Sequence, residues 1–184
     1  PDSFSTALFG FLADIPRRIG YQGQFRSFML TDPLPSAPPS MHRALKYHRI
    51  LKPLGITGNP GPAKLYPPDK ASESLRTIIK KHHLSGGYIG MNPNSQAQSR
   101  RWAPDRFAEV ARHLLKKGKK VGLFGSTGEK EISSRVNDLA GRKCIDLTGS
   151  IPLKDFMVLL RHCRLFLTND SGPMHIALAL GIRT

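Results

Sequence analysis

Acidic residues are scarce in this sequence, 13 Asp and Glu against 28 Lys and Arg, which leaves a formal charge of +15 over 184 residues. Cysteine is scarcer: Cys144 and Cys163 stand alone, without the CxxC spacing of a zinc site or a redox pair. Their surroundings read as a buried strand and a helix end, and a reducing compartment suits them. No apolar run approaches the roughly 18 residues of a membrane-spanning helix, and the N-terminus lacks the basic-then-apolar order of a secretory signal. The sequon Asn169-Asp170-Ser171 is therefore expected to carry no glycan. Three catalytic signatures are missing as well: G-x-G-x-x-G after the first predicted strand, G-x-x-x-x-G-K-[ST] and G-x-S-x-G. Ordinary dehydrogenases, P-loop enzymes and α/β-hydrolases are thereby disfavoured. Trp102 is the lone tryptophan and aromatics are little interleaved with the basic residues, which argues against a nucleic-acid surface built on base stacking.

What is present is an ordinary globular composition, 39% hydrophobic, long enough for one buried domain or parts of two. The basic excess concentrates anions around the protein, whether nucleic acid, an anionic membrane surface or a phosphorylated small molecule; solvated helix faces are the plainer account of any single cation. Residues 3–12 read as a short helix and 18–21 as a strand. Residues 32–40, DPLPSAPPS, are too proline-rich for helix or interior strand and are expected to form an exposed loop. Helical spacing returns over 42–54, before a second proline and glycine stretch at 58–70 that reads as the approach to a linker.

From residue 71 onward helix-period segments alternate with short apolar runs: helices over 71–82, 104–117, 128–140 and 152–162, strands over 87–93, 120–126, 144–149 and 164–169. Such alternation predicts βαβ units and a parallel sheet covered on both faces, a Rossmann-like domain over 86–184. Ligands of these sheets bind beyond the carboxyl ends of the strands. The turns to inspect are therefore 92–102, 125–129, 149–152 and 169–175, each polar or glycine-bearing.

The last of them, TNDSGPMHIALA from Thr168, holds Asp170, Ser171 and His175, yet near-consecutive residues cannot converge as a hydrolytic triad. A phosphate cradle is the easier reading: Ser171, Gly172 and the free N–H groups of a helix starting near Pro173 face an anion, with His175 one turn in as a further donor. Asp170 repels phosphate and suits a helix cap or a sugar hydroxyl, so a ligand with both phosphate and sugar is suggested. The 92–102 turn, with Ser95 and Gln96 as hydrogen-bonding groups and Arg100 and Arg101 as permanent cations, reads as a second anion clamp.

The stretch NPNSQAQSRRWAPDRFAEVARHLLKKGKKVGLFGSTGEKE, followed by LTGSIPLKDFMVLLRHCRLFLTNDSGPMHIALALGIRT, resembles the bacterial lipopolysaccharide core heptosyltransferases, glycosyltransferase family nine. The opening PDSFSTALFGFLADIPRRIGY is similar to a segment late in that family's N-terminal domain, so the resemblance covers essentially the whole chain. It implies an α/β enzyme of the GT-B class with two Rossmann-like domains: residues 1–70 the end of the acceptor-side domain plus linker, 71–184 the domain holding the nucleotide sugar, expected to be incomplete at its C-terminal end. It implies inverting, metal-independent transfer of heptose from ADP-heptose to a lipid A-Kdo acceptor at the cytoplasmic face of the inner membrane, by an enzyme that is monomeric when intact, with no further cofactor, no metal and no nucleic-acid partner. By the same resemblance Ser95, Gln96 and Arg100 contact the donor phosphates, with Arg100 stabilising the leaving diphosphate. Glu129 or Glu131 holds the ribose, Ile151 the adenine, and Asp170, Ser171, Gly172 and His175 the heptose and pyrophosphate. The family usually carries lysine where Arg100 stands. Arg17, Arg18, His42, Arg43 and Lys46 are candidates for acceptor or membrane contact. Against the family's pattern, the opening strands, the glycine-rich first loop and the aspartate acting as base are expected to lie outside this sequence. The piece alone is then expected to be inactive and to expose strand edges. A related transferase using another nucleotide sugar, and a basic nucleic-acid-binding domain, remain the alternatives.

Overall fold

The computed structural model describes residues 3–58 and 60–184. Pro1, Asp2 and Asn59, the last within the second proline-rich stretch, lie outside the described residues. The chain divides into two compact units, residues 1–62 and 63–184.

In the first unit, α1 (Phe4–Leu12) precedes β1 (Ile19–Tyr21), β2 (Asp32–Leu34) and α2 (Arg43–Leu51). The expectation of a loop throughout 32–40 fails at its start, because Asp32–Leu34 pairs in parallel with Ile19–Tyr21, with Gly20 opposite Pro33. Proline is tolerated there since β2 is an edge of a two-stranded sheet and needs no second partner for its missing N–H. Arg17 pairs with Asp32 at 3.3 Å, and its guanidinium together with the Thr31 hydroxyl holds the Asp32 carboxyl below its ordinary range. Tyr21 is buried and donates its hydroxyl proton to the carbonyl of Lys46 at 2.7 Å, tying α2 to β1.

The second unit is an α/β sandwich. Its elements are α3 (Glu73–His82), β3 (Tyr88–Asn92), α4 (Pro104–Lys116), β4 (Val121–Leu123), α5 (Lys130–Leu139), β5 (Ile145–Asp146), α6 (Leu153–Leu160), β6 (Cys163–Thr168) and α7 (Gly172–Ala179). The four strands are parallel in the order β5-β4-β3-β6. After β5 the chain crosses back past β3 to lay down β6, so the winding reverses between β3 and β6, the place where α/β sheets hold their ligands. The local signals are physical ones. Pro104 sits in the first turn of α4, where no N–H is required. Ser72 caps α3 by accepting from Leu75 N–H at 3.1 Å and donates to the Asp155 carboxylate at 2.5 Å, joining α3 to α6.

Alternate residues of each strand feed two cores. Phe107, Ala108 and Ala111 of α4 and Val136 of α5 close over Met91, Val121 and Leu123 on one face. Leu75 of α3, Leu159 and Leu160 of α6 and Ala177 of α7 close over Tyr88, Phe124 and Phe166 on the other. Phe166 lies across Gly90, where a Cβ would come within 2.7 Å of the ring, so that glycine is what lets the ring lie on β3. Phe124, Phe156 and Phe166 meet edge to face at 5.3 to 6.1 Å between centroids, the favoured geometry for aromatic rings.

Cys163, read from sequence as a helix end, instead opens β6: α6 stops at Leu160 and the apolar run of the last strand begins three residues later. Burial pushes both thiols up to about 11. Since the thiol in the unfolded chain ionises near its ordinary 9.0, their contribution to stability is level below that pH and declines between 9.0 and about 11. At pH 8 the native protein is expected to resist a thiol-disulfide reagent, with both cysteines reacting once denaturant is added. Rapid labelling of the native protein would contradict the burial of Cys144 and Cys163.

Candidate active site

Four strand-to-helix connections converge beyond the carboxyl ends of the second unit's strands, around a cavity of about 760 Å³. That is within the common range for small-molecule sites. The β3–α4 connection supplies Asn94, Ser95, Gln96 and Arg100, and the β4–α5 connection Gly125, Ser126 and Glu129. Ile151 comes from the β5–α6 connection, and Asp170, Ser171 and Gly172 from the β6–α7 connection. Eight of the candidate residues thus share one cavity: Ser95, Gln96, Arg100, Glu129, Ile151, Asp170, Ser171 and Gly172. His175 is exposed, outside the lining, with Nε2 3.9 Å from the Asp170 carboxylate. Glu131 is exposed on α5 and also outside it.

Charged, polar and apolar groups share the lining of the cavity. Within it α7 starts on Gly172, with Pro173 in its first turn and no side chain capping it. The Ser171 hydroxyl turns back to the carbonyl of Asn169 at 3.2 Å, away from the helix N–H groups. Uncapped N–H groups and the helix dipole favour an anion. Arg100 stands beside this helix start, its Nη1 3.4 Å from Asp170 Oδ2, with both side chains more than half exposed. Phe124, Leu147, Ile151, Leu153, Phe156 and Ile176 also line it, so the edge of the buried core is also the surface a ligand meets. Gly125 keeps its neighbours close: a Cβ there would lie 2.8 Å from Asn94 Nδ2 and 3.2 Å from Glu129 Oε2. Glu129 Oε2 accepts from the backbone N–H of Ser126 at 2.6 Å and from its hydroxyl at 2.9 Å, a capping box that fixes the carboxylate at the cavity's edge.

Sequence reasoning missed Phe124, Leu147, Leu153 and Phe156, whose apolar character reads as core, and it missed Asn169. This asparagine is buried, accepts from Trp102 N–H at 3.0 Å and donates to the carbonyl of Pro93 at 2.9 Å. Arg101, read as a second clamp cation, donates to the carbonyl of Ser95 at 2.6 Å and does not line the cavity.

In the first unit, Arg17 and Arg18 are engaged locally. Arg17 donates to the carbonyl of Pro53 at 2.6 Å, while Arg18 donates to those of Met29 and Ile15 and lies 5.4 Å over the Phe11 ring. His42 caps α2 by accepting from Ala44 N–H. Arg43 and Lys46 line a cavity of about 620 Å³ with Tyr21, Met41 and Tyr47.

An α/β unit whose winding reverses at a cleft lined by apolar side chains, an arginine and an uncapped helix start is the class of domain that holds nucleotides. The sequence profile of glycosyltransferase family 9 (heptosyltransferase) matches residues 1–184, and the chain belongs to that family. It is 33% identical to lipopolysaccharide heptosyltransferase 2 of Salmonella typhimurium and 28% identical to lipooligosaccharide heptosyltransferase 2 of Haemophilus influenzae. Each alignment takes in 98% of this chain and 55% or 56% of the relative. The chain thus spans about half the length of the curated relatives it matches. Among solved structures it resembles the family 9 glycosyltransferase of Veillonella parvula, with a TM-score of 0.75 and 25% identity over 98% of this chain and 53% of that one. It also resembles the ADP-heptose lipopolysaccharide heptosyltransferase II of Escherichia coli, with a TM-score of 0.61 and 26% identity over 99% and 59%. The fold is accordingly of the GT-B class, of which this chain covers part.

Proposed function

We propose that the protein transfers heptose from ADP-heptose to the lipopolysaccharide inner core, and that the cavity of the second unit holds the donor. The observation that carries this reading is the placement of Arg100 beside the uncapped start of α7, in a cavity that apolar side chains also line. The diphosphate lies at Arg100 and the α7 start and the adenine on Ile151 and its apolar neighbours, with Glu129 toward the ribose. Asp170 meets a heptose hydroxyl. The chemistry is a metal-independent displacement with inversion: a base takes the proton of an acceptor hydroxyl, its oxygen attacks the anomeric carbon, and the sugar–phosphate bond breaks. The electron pair leaves with ADP, whose growing charge is met by Arg100 and the α7 N–H groups. The acceptor, an anionic glycolipid reached from the cytoplasmic face of the inner membrane, is assigned to the first unit, where Arg43 and Lys46 line a cavity.

Calorimetric titration of the full-length protein with ADP, UDP and GDP tests the donor. ADP is expected to bind most tightly, and a preference for UDP would exclude the heptose reading in favour of a related transferase. Gly172 adds a second check, since nothing lies within 4 Å of the position a Cβ would take. Gly172→Val is expected to leave the melting temperature unchanged while weakening ADP at least roughly tenfold, because the branched side chain occupies the space in front of the helix start. Undiminished ADP affinity would place the diphosphate elsewhere.

A further inference from the structure

We infer that Asn169 is a positioning residue that fixes the arginine-bearing loop against the start of α7, so that both address the same diphosphate; the inference rests on the proposed reading of the cleft. The two halves of the anion grip are distant in sequence and leave the paired strands β3 and β6, where Asn92 lies opposite Thr168. The Arg100–Asp170 pair is exposed on both sides, and exposed pairs contribute little. The Ser95 hydroxyl reaches the carbonyl of Asp170 only at 3.4 Å.

Asn169 differs in burial and in geometry. Only 6% of its surface is exposed, and its one side-chain amide spends its acceptor on Trp102 N–H and its donor on the carbonyl of Pro93. These partners are 67 and 76 residues away in sequence, and they are the two ends of the loop that carries Ser95, Gln96 and Arg100. The loop is therefore pinned where it leaves β3 and again just before α4, onto the residue immediately preceding Asp170. An amide places a donor and an acceptor on one planar group, which aspartate, serine and the apolar residues do not. In a buried setting a missing partner leaves a polar group unsatisfied, so the loop must move to find another.

The test is a double-mutant cycle read by calorimetry on the full-length protein, with ADP as ligand. Asn169→Ala is expected to weaken ADP roughly tenfold, the effect of losing one charge-assisted contact to phosphate. Arg100→Ala, costly in the wild type, is expected to add little in the Asn169→Ala background, because the guanidinium is already displaced. Asn169→Asp, which keeps an acceptor for Trp102 N–H but sets a carboxylate against the Pro93 carbonyl, is expected to behave like the alanine variant and serves if the latter is poorly folded. Unchanged ADP affinity in either variant, or an Arg100→Ala loss that is fully additive, overturns the inference. Loss of the melting transition in both variants overturns it too, since Asn169 would then hold the fold rather than the loop. A wild-type protein that binds no nucleoside diphosphate sinks the reading of the cleft itself, and the inference with it, whereas wild-type ADP binding with an indifferent Asn169 sinks the inference alone.

Discussion

On the proposed transfer, replacing Arg100 by alanine is expected to lower the turnover of the full-length protein by roughly 100- to 1,000-fold, the usual consequence of removing one preorganised donor to a developing negative charge. The effect should fall on kcat more than on KM, because the phosphate oxygens gain most of their extra charge as the sugar bond breaks. Arg100→Lys retains a positive charge on a flexible stem and loses only the planar fork, so most of the activity should return. Steady-state kinetics with ADP-heptose measures both variants. An alanine variant with wild-type kcat would mean that the leaving group is stabilised elsewhere, and that the ion pair with Asp170 at 3.4 Å is only surface decoration.

Phe166→Ala is expected to destabilise the protein by about 3 to 5 kcal/mol, the range for deleting a fully buried aromatic side chain. The ring has no exposed surface, lies on Gly90 and meets Phe124 and Phe156 edge to face, so its removal opens a cavity in the middle of one core. Total stabilities of about 5 to 15 kcal/mol make such a loss severe. The complementary change, Gly90→Ala, forces a methyl group toward that ring and should cost about 1 to 3 kcal/mol by overpacking. Denaturant unfolding reads both. A shift in midpoint equivalent to less than about 1 kcal/mol for Phe166→Ala would show that the site relaxes more completely than close-packed interiors do.

The sheet of the second unit was legible because its strands are short apolar runs separated by helices with ordinary end signals, such as Pro104 at the start of α4 and the Ser72 cap of α3. Once the strands are parallel, their carboxyl ends locate the cleft without any motif, and the polar turns after β3, β4 and β6 follow. Two kinds of feature escaped. Phe124, Leu147 and Phe156 carry the same apolar signal whether they are wrapped by protein or form the wall of a cleft, and nothing local separates the cases. Asn169 reads as part of a sequon and a polar turn until its partners at 93 and 102 are seen, because its role rests on long-range hydrogen bonds. The strand at Asp32–Leu34 was hidden by Pro33, which an interior strand would exclude and an edge strand accepts. Arg18 likewise reads in sequence as a candidate for acceptor or membrane contact, whereas its guanidinium is held by the Met29 and Ile15 carbonyls.

The mixed lining of the cleft bears on how a small molecule could block it. A flat aromatic fragment lodged against Phe124, Leu147 and Phe156 would draw on desolvation alone, and an isolated anion at the head of α7 would have to displace Asp170 from Arg100 unaided. Tethering the two makes the second contact intramolecular, so a short linker between a planar ring and one acidic group gains from effective concentration what neither fragment has by itself. The distance between the aromatic wall and the guanidinium is then the dimension to which such an inhibitor should be cut.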